Sequence, residues 1–213
     1  MKKKKLILFD WGNIVESHEK GYTCPMAWDD LFLRCGYTGE KHIYGNLFEY
    51  KLSALKTEKE LEKMYYKIKE DFNLNTDYKE FKKIYLEIFD KVDAYEDVKE
   101  FEHSLSDICY IGVLSNLNIL DYDRINKQLE LEKYDYVFLS YELGIKKPAK
   151  ELFEKVQKKL PFKKENILFI DDTERNIIAA KEFGWNAVHL TGLELDKIKN
   201  ACYKFLNIDK NQK

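Results

Sequence analysis

Short apolar runs that end directly in polar residues constrain this chain more than any other feature of its sequence. Three such runs are prominent. Residues 6–9 are followed by Asp10, residues 108–114 by Ser115, and residues 167–170 by Asp171 and Asp172. Runs of this length, apolar rather than alternating, are typical of parallel strands buried on both faces. Weaker runs of the same kind occupy residues 136–139 and 187–190.

The stretches between these runs have the spacing of helices. Helical patterns cover about 94–106, 119–132, 149–160, 174–184 and 194–206. Strands that alternate with helices predict an α/β fold, here a Rossmann-like parallel sheet with helices on both faces. In open sheets of this class, ligands bind beyond the carboxyl ends of the strands, so the polar residues that close the runs form the candidate site.

Residues 17–93 interrupt the alternation, because they contain helical patterns but no convincing strand. Amphipathic helices are predicted at Cys24–Cys35, Thr57–Phe72 and Asp77–Val92. The last two have a Thr cap and acidic residues in the first turn. We therefore expect a small all-helical domain, residues 17–93, inserted after the first strand of an α/β core domain formed by residues 1–16 and 94–213.

Charge and composition exclude several classes of partner. The 36 Lys and Arg residues are balanced by 38 Asp and Glu residues, for a net charge of -2, which excludes binding of nucleic acid by bulk positive charge. No segment approaches the roughly 20 apolar residues of a membrane span, and the apolar run after the initial lysines is too short for a signal peptide. Four cysteines without CxxC spacing argue against a zinc site. We expect a cytoplasmic protein with no nucleic-acid or membrane partner.

Four motifs follow one another in an order that is typical of a known superfamily. They are Leu8-Phe9-Asp10-Trp11-Gly12-Asn13-Ile14-Val15, Val113-Leu114-Ser115-Asn116, Gly144-Ile145-Lys146-Lys147-Pro148 and Phe169-Ile170-Asp171-Asp172-Thr173-Glu174-Arg175-Asn176. Their set and order resemble the haloacid dehalogenase (HAD) superfamily of phosphohydrolases. The helical stretch at 17–93 resembles the small helical cap (C1) of that superfamily, and the resemblance extends from Leu6 to about Phe205.

The resemblance implies a role in phosphate chemistry for each motif, and the chemistry of the residues supports the same roles. Asp10 supplies the nucleophile and forms an aspartyl-phosphate that water then hydrolyses. The Ser115 hydroxyl and the Asn116 backbone N–H hold phosphate oxygens, and Lys147 adds a compact positive charge. The expected catalytic residues are Asp10, Lys147 and Ser115, and the expected phosphate-binding residues are Ser115, Asn116 and Lys147.

A divalent cation is expected at the acidic residues of the first and fourth motifs. Asp10, Asp171 and Asp172 would form a cluster of like charges that is unfavourable without a cation, and hard oxygen ligands suit Mg²⁺. Gly12 can add its backbone carbonyl to the ligands. The cation would neutralise phosphate charge and bring phosphorus towards the nucleophile. Asn176 either supports the acidic pair from the following helix or faces solvent.

Each of these residues also has a purely structural interpretation. Asp10 can be a turn residue at a strand end, where Asp is common. Ser115 can cap the helix that follows it, and the pair Asp171–Asp172 can cap the helix at 174–184. Lys147 is one of many lysines, and it is distinguished by the Pro148 that follows and that fits the start of the next helix.

The first motif departs from the usual phosphatase pattern at Gly12, where the superfamily's general acid and base, a second Asp, normally stands. General acid–base help is worth roughly 10²–10⁴-fold, so its absence predicts slow turnover or a substitute proton carrier. Glu16, His18 and Glu19 lie just downstream and are candidates for that carrier. The Asp-x-Gly-Asn pattern resembles a branch that includes phosphatases of the bacterial α-glucose-1-phosphate phosphatase type, which implies that activity survives the change.

The leading prediction is a Mg²⁺-dependent phosphatase of a small phosphorylated metabolite, similar to a sugar phosphate, with the helical cap choosing the substrate. Gly12 favours a second interpretation, a catalytically impaired protein of the same fold that binds or regulates. A third is a 2-haloacid dehalogenase that uses Asp10 without metal. The pair Asp171–Asp172 argues against it, because paired acids repel a carboxylate substrate. Three tyrosines can line the cap: Tyr22, Tyr44 and Tyr50.

Overall fold

The computed structural model describes residues 4–15, 24–39, 50–90 and 94–208. Within these residues, the strands are β1 (Leu6–Phe9), β2 (Tyr110–Ser115), β3 (Tyr136–Leu139), β4 (Ile167–Asp171) and β5 (Asn186–His189). They form one five-stranded sheet in the order β3-β2-β1-β4-β5, and every neighbouring pair is parallel. This sheet confirms the predicted α/β fold.

β1 lies in the middle of the sheet, and its position explains its composition. It pairs with β2 on one side and with β4 on the other. All four residues are fully buried: Ile7 and Phe9 face one hydrophobic core, and Leu6 and Leu8 face a second core on the other side of the sheet. A strand with partners at both edges and cores on both faces has no solvent-facing position, so the run is apolar throughout.

The helices of the described chain are α1 (Cys24–Arg34), α2 (Glu58–Phe72), α3 (Tyr78–Phe89), α4 (Glu96–Ser104), α5 (Tyr122–Leu129), α6 (Ser140–Leu143), α7 (Lys150–Gln157), α8 (Glu174–Phe183) and α9 (Leu195–Leu206). One face of the sheet is covered by α4, α5 and α9, and the other by α7 and α8. The predicted helices on both faces are thereby confirmed. In the ranges described, no helix combines the length and the apolar character needed to cross a membrane.

Some predicted boundaries differ from the structure by a few residues. β2 begins after Ile108, whose N–H donates into the preceding turn, and it ends on Ser115. β4 likewise ends on Asp171, so both polar residues belong to strands. α5 is shorter than predicted because Glu130 adopts a left-handed conformation (φ 55°) that ends the helix. Val92, the predicted end of the last insert helix, lies outside the described residues.

The helices α1, α2 and α3 form a helical insert between β1 and β2, and this insert has a hydrophobic core of its own. Its centre is aromatic. Tyr65 stacks on Phe81 with ring centroids 4.4 Å apart, and Tyr85 stacks on Phe89 at 4.3 Å. Trp28 of α1 meets Tyr85 and Phe89 edge-on, at 5.7 and 5.5 Å. Ring packing of this kind holds α1 against α3.

The caps of the insert helices follow from local side chains. At the start of α2, Thr57 Oγ1 accepts from the Glu60 N–H (3.2 Å) and Glu60 Oε2 accepts from the Thr57 N–H (3.1 Å). This reciprocal pair is the capping box expected from the sequence. α3 is capped by Asp77 rather than by Thr76 as predicted, because the Thr76 hydroxyl is taken by the hydroxyl of Tyr65 (2.7 Å).

Candidate active site

The ends of three neighbouring strands bring the predicted site residues together. Asp10 follows the last residue of β1, Ser115 ends β2 and Asp171 ends β4. All three are buried, with exposed fractions of 8%, 2% and 0%. Because the carboxyl ends of parallel strands meet at one edge of the sheet, polar residues that are far apart in sequence share one site.

Lys147 lies at the centre of this site and is 1% exposed. Its Nζ is 3.0 Å from Asp10 Oδ1 and 2.6 Å from Asp171 Oδ2, and it also donates to the carbonyl of Leu114 (2.9 Å). Burial opposes the charge of this ammonium, but Asp10 and Asp171 outweigh burial and raise the pKa of Lys147. The lysine therefore stays protonated between two carboxylates, which is how a buried charge is tolerated.

The Asn116 side chain holds the backbone of Lys147, a contact that the sequence did not predict. Asn116 Oδ1 accepts from the Lys147 N–H (2.9 Å), and Asn116 Nδ2 donates to the Lys147 carbonyl (3.1 Å). These two bonds fix the lysine segment against the end of β2. Pro148 does not open the next helix as predicted: it follows a cis peptide bond and precedes α7, whose N-cap is Ala149.

Asp10 is oriented through one of its two carboxylate oxygens. Oδ1 accepts from the N–H of Trp11 (2.7 Å) and lies 3.0 Å from Nζ of Lys147, and neither contact uses Oδ2. Burial is the main cause that raises the pKa of Asp10 to about 7; Asp171 and Asp172 add to the rise, and Lys147 opposes it. Added positive charge in the site would favour the carboxylate form.

The acidic pair consists of a fully buried member and a member that lines the cavity. Asp171 Oδ1 accepts from the Thr173 N–H (2.7 Å), and Asn176 Nδ2 is 3.0 Å from both Asp171 oxygens. Asn176 is 4% exposed, so it supports the pair from α8 and does not face solvent. Asp172 accepts from Asn13 Nδ2 (2.5 Å), and burial raises the pKa of Asp172.

The three carboxyl groups are close enough to share a cation. Oxygens of Asp10, Asp171 and Asp172 all lie within 4.8 Å of one another. Across the described ranges, no other group of acidic, His or Cys side chains has this geometry. Gly12 lines the same cavity as Asp10 and Asp172. The donor set is all oxygen and mostly anionic, which fits a hard divalent cation such as Mg²⁺.

Ser115 lines the cavity, and the helix caps near it are made elsewhere. Asn118 Oδ1 accepts from the Leu120 N–H (2.8 Å) in the turn that leads into α5. At the start of α8, the N-cap residue Thr173 makes no side-chain cap bond. Capping therefore does not explain the presence of Ser115 or of the acidic pair.

A cavity of about 220 Å³ opens over these residues. One side of it is formed by the strand ends and the segments that follow them. The other side is formed by residues of the helical insert and its connection to α2: Trp28, Leu52, Ser53, Tyr85 and Phe89. A ligand at the strand ends would thus contact both parts of the chain.

A buried polar network, here called the seam network (Tyr85, Asn118, Asp121 and Arg124), joins the insert to the core beside the cavity. The Tyr85 hydroxyl donates to Asp121 Oδ1 (2.6 Å) and accepts from Asn118 Nδ2 (2.7 Å). Arg124 Nη2 is 2.8 Å from the same Asp121 oxygen. Burial and the charge of Asp121 raise the pKa of Tyr85 well above its usual value. This network was missed at the sequence level, because one tyrosine among 15 has no distinctive pattern.

Several predicted residues cannot be placed at the cavity. Five lie outside the described residues: Glu16, His18, Glu19, Tyr22 and Tyr44. Tyr50 lies on the insert, where its hydroxyl donates to Asp71 (2.7 Å). His189, predicted to be structural, contacts the carbonyl of Asp172 through Nε2 (2.6 Å) and so touches the site from the end of β5.

Comparison with protein families identifies the class of this protein. Residues 5–184, most of the chain, match the haloacid dehalogenase-like hydrolase family. The chain therefore belongs to the haloacid dehalogenase-like hydrolases. The family agrees with the resemblance drawn from the four motifs.

Individual relatives are distant. The sesquiterpene phosphatase astK of Aspergillus oryzae is 30% identical over 80 residues, and the match spans 37% of this chain and only 41% of that protein. A HAD family enzyme variant from Bacteroides thetaiotaomicron, in complex with magnesium and inorganic phosphate, has a TM-score of 0.68 at 20% identity, over 90% of this chain and 96% of that one. The L-2-haloacid dehalogenase of Xanthobacter autotrophicus has a TM-score of 0.61 at 14% identity, over 88% and 77%. The two structures show a shared fold.

Proposed function

We propose that this protein is a Mg²⁺-dependent phosphatase that hydrolyses a small phosphorylated metabolite through an aspartyl-phosphate on Asp10. The observation that carries the proposal is the position of Lys147 Nζ, 3.0 Å from Asp10 and 2.6 Å from Asp171. One ammonium among three carboxylates orients a nucleophile and leaves anionic oxygens for a cation. Phosphoryl transfer depends mainly on such positioning and charge neutralisation.

The reaction takes place in two displacements at phosphorus. Asp10 attacks phosphorus through Oδ2, the oxygen that the contacts to Trp11 and Lys147 leave unused. The bond from phosphorus to the ester oxygen breaks, and that oxygen leaves with the electron pair and takes up a proton. Water then attacks the phosphorus of the aspartyl-phosphate and loses a proton, which releases inorganic phosphate and restores the carboxylate.

The other site residues position the phosphate. The Ser115 hydroxyl and the Asn116 N–H hold phosphoryl oxygens at the end of β2. Lys147 supplies positive charge to the phosphate and favours the ionised form of Asp10, and the Asn116 side chain holds Lys147 in place. Asp10, Asp171, Asp172 and the Gly12 carbonyl would hold Mg²⁺. When bound, the cation acts as a Lewis acid that neutralises charge on the phosphoryl oxygens.

We propose further that residues 17–93 act as a cap domain of the C1 type over a core domain of residues 1–16 and 94–213. The cavity supports this division, because its lining includes Trp28 and Phe89 of the insert together with the strand ends. A cap of this kind selects substrate and excludes water when it closes.

Two observations bear on the substrate. The Asp-x-Gly-Asn pattern at Asp10–Asn13 favours the α-glucose-1-phosphate phosphatase-type branch and hence a sugar phosphate. The name of the Aspergillus oryzae relative points instead to a phosphate ester with an apolar organic group. Both support a small phosphorylated substrate, and the phosphate-bound structure of similar fold agrees with them.

The test is phosphate release from a panel of small phosphate esters, with Mg²⁺ and with a chelator. Asp10→Asn removes the nucleophile. The matched control is Asp107→Asn, because Asp107 is exposed in the turn before β2, at the amino ends of the strands. We expect metal-dependent release that disappears in Asp10→Asn and persists in the control.

Two other outcomes would assign the site differently. Equal release from the native chain and Asp10→Asn would overturn the proposal and favour the binding or regulatory protein that Gly12 suggests. Halide release from 2-haloacids that survives chelation would establish a dehalogenase, which the carboxylate pair Asp171–Asp172 disfavours electrostatically.

A further inference from the structure

The residue after the nucleophile, Trp11, is held at its backbone and at its ring. Its N–H donates to Asp10 Oδ1 (2.7 Å), and its carbonyl accepts from the N–H of Val15 (3.0 Å). Trp11 is buried, and its ring Nε1 donates to Gln128 Oε1 of α5 (2.8 Å). Because the ring and the N–H belong to one residue, the packing of the ring helps to set the direction in which the N–H points at Asp10.

Arg124, also on α5, packs against the same ring. Its guanidinium carbon lies 4.4 Å from the centroid of the Trp11 ring and 5.2 Å from the centroid of the Phe89 ring. Its Nη2 donates to Asp121 Oδ1 (2.8 Å), and the side chains of this ion pair are 9% and 8% exposed. The attraction between a guanidinium and an aromatic ring is stronger when both are shielded from water, so Arg124 helps to hold the Trp11 ring.

The helical insert holds the same guanidinium from the other side. Phe89 belongs to α3. Tyr85, one turn earlier on that helix, donates to the Asp121 oxygen that pairs with Arg124 (2.6 Å). Two side chains of α3 therefore act on Arg124, one by direct contact and one through Asp121. Arg124 thus lies between the insert and the residue that orients the nucleophile.

These contacts use properties that distinguish arginine from lysine. A guanidinium is planar, so it can pack against a ring while its N–H groups bond a carboxylate. A lysine ammonium at position 124 could still pair with Asp121, but it would offer no plane to Trp11. Replacement of Arg124 by lysine therefore separates the charge of the side chain from its contact with the ring.

We propose that Arg124 is a positioning residue for the reaction at Asp10. Through the Trp11 ring it holds the N–H that orients the Asp10 carboxylate, and α3 holds Arg124 in the position where it does so. The inference rests on the phosphatase function proposed above. It makes the geometry of the nucleophile depend on how α3 is seated against the core.

The test measures two quantities on the full chain with Mg²⁺. The first is kcat/KM for acetyl phosphate, relative to Asp10→Asn. The organic part of this probe is a single acetyl group, so contacts to a larger organic group do not contribute. With no acetate present at the start, kcat/KM reports on the steps up to the attack by Asp10. The second is the dissociation constant of inorganic phosphate, which reports on binding alone.

Arg124→Lys should lower kcat/KM by at least about tenfold and leave the dissociation constant of phosphate unchanged, because a small misplacement of a reacting group is costly. The matched control is Arg34→Lys, in an exposed ion pair with Glu87 on the insert, and it should change neither quantity. Gln128→Ala removes the hydrogen bond at the Trp11 ring and should lower kcat/KM by a smaller factor. It keeps the test decisive if Arg124→Lys does not fold.

Tyr85→Phe tests the part that the insert plays. Alone, it should lower kcat/KM by about threefold, the scale of coupling through a chain of contacts. Combined with Arg124→Lys it should cause no further loss, because its effect passes through Arg124. Tyr66→Phe, exposed on α2, should have no effect in either background. An equal loss from Tyr85→Phe in both backgrounds, or no loss in either, would overturn the link between α3 and the nucleophile.

Failure of this inference can be told apart from failure of the proposed function. Absence of Asp10-dependent acetyl phosphate hydrolysis by the native chain would remove the phosphatase function and the positioning role with it. Asp10-dependent hydrolysis that a folded Arg124→Lys or Gln128→Ala variant leaves unchanged would overturn the positioning role and leave the phosphatase standing. A loss of phosphate affinity as large as the loss of kcat/KM would also overturn it, because Arg124 would then bind the phosphate itself.

Discussion

The two sides of the cavity are built from different kinds of side chain. At the strand ends, buried charges are held in place by backbone and by one another, with Lys147 between Asp10 and Asp171. On the insert side, rings pack on rings, and the neighbouring pair Asp121–Arg124 of the core is neutral as a unit. This difference suggests separate roles for the two sides of the cavity in the proposed function. Under the proposed function, the sheet would carry the groups whose geometry must be accurate, and the insert would carry the surface that selects the substrate by shape.

The largest loss of stability and activity is expected from a substitution at the strand ends. Lys147→Met leaves Asp10 and Asp171 buried without their cation, which should lower the free energy of unfolding by about 3–5 kcal/mol in chelator and abolish phosphate release. Urea unfolding with chelator and with Mg²⁺ measures the loss of stability, and Mg²⁺ should restore part of the lost free energy of unfolding. Lys150→Met, at an exposed position of α7, is the control. A loss no larger than in this control would show that the buried ion pairs do not organise the site.

The acidic residues at the strand ends can be compared with Glu102, a buried carboxyl group without a cation. Glu102 is fully buried in α4 and accepts from the Tyr134 hydroxyl (2.7 Å), and burial raises the pKa of Glu102 to about 8. Between the unfolded and folded pKa values, the unfolded chain releases a proton that the folded chain keeps, so this contribution to stability falls as pH rises. Glu102→Gln does not titrate.

The free energy of unfolding of Glu102→Gln relative to the native chain should therefore rise by about 2–3 kcal/mol between about pH 5.5 and about pH 7.5. Chemical unfolding at a series of pH values measures this difference. Glu100→Gln, exposed on the same helix, should show no such trend. A difference that is flat with pH, or that falls, would contradict a protonated Glu102 in the folded state.

A smaller effect is expected from the support of the acidic pair. Asn176→Ala removes the bonds at 3.0 Å to both Asp171 oxygens and should cost about 2 kcal/mol of unfolding free energy. It should also lower kcat/KM for phosphate release, because Asp171 then loses its fixed orientation. Asn126→Ala, exposed on α5, serves as the comparison in both assays. Full activity in Asn176→Ala would show that the role of Asn176 is only structural.

The smallest effect is expected at the seam network. Tyr85→Phe keeps the ring but removes the bonds to Asp121 and Asn118, at a cost of about 1 kcal/mol in the free energy of unfolding. Tyr50→Phe removes one bond to the exposed Asp71 and should stay within about 0.5 kcal/mol of the native chain. Equal costs for the two variants would show that the buried network does not tie the insert to the core.

Sequence reasoning succeeded where one physical rule fixes the answer. An apolar run without alternation requires burial on both faces, so β1 and β4 were predicted with their closing residues Asp10 and Asp171. Parallel strands then place those residues at one edge. The insert was predicted because its helical periodicity replaces the expected strand at one point of the chain.

The remainder depends on contacts between distant segments. The Asn116 side chain binds the Lys147 backbone, and Tyr85 binds Asp121, across separations that no periodicity encodes. The cap of α3 moved from Thr76 to Asp77 because Tyr65 takes the Thr76 hydroxyl, a tertiary contact that overrides a local preference.

The proposed mechanism requires Asp10 to become phosphorylated during turnover. The most direct measurement mixes the protein with Mg²⁺ and a phosphate ester that it hydrolyses and quenches the mixture rapidly in acid. Reduction with borohydride and mass spectrometry of the peptide that contains position 10 follow. An acyl phosphate is reduced by this treatment and a free carboxylate is not, so we expect conversion of Asp10 to homoserine. Phosphate release with an unmodified Asp10 peptide, under quenching fast enough to resolve a single turnover, would contradict it.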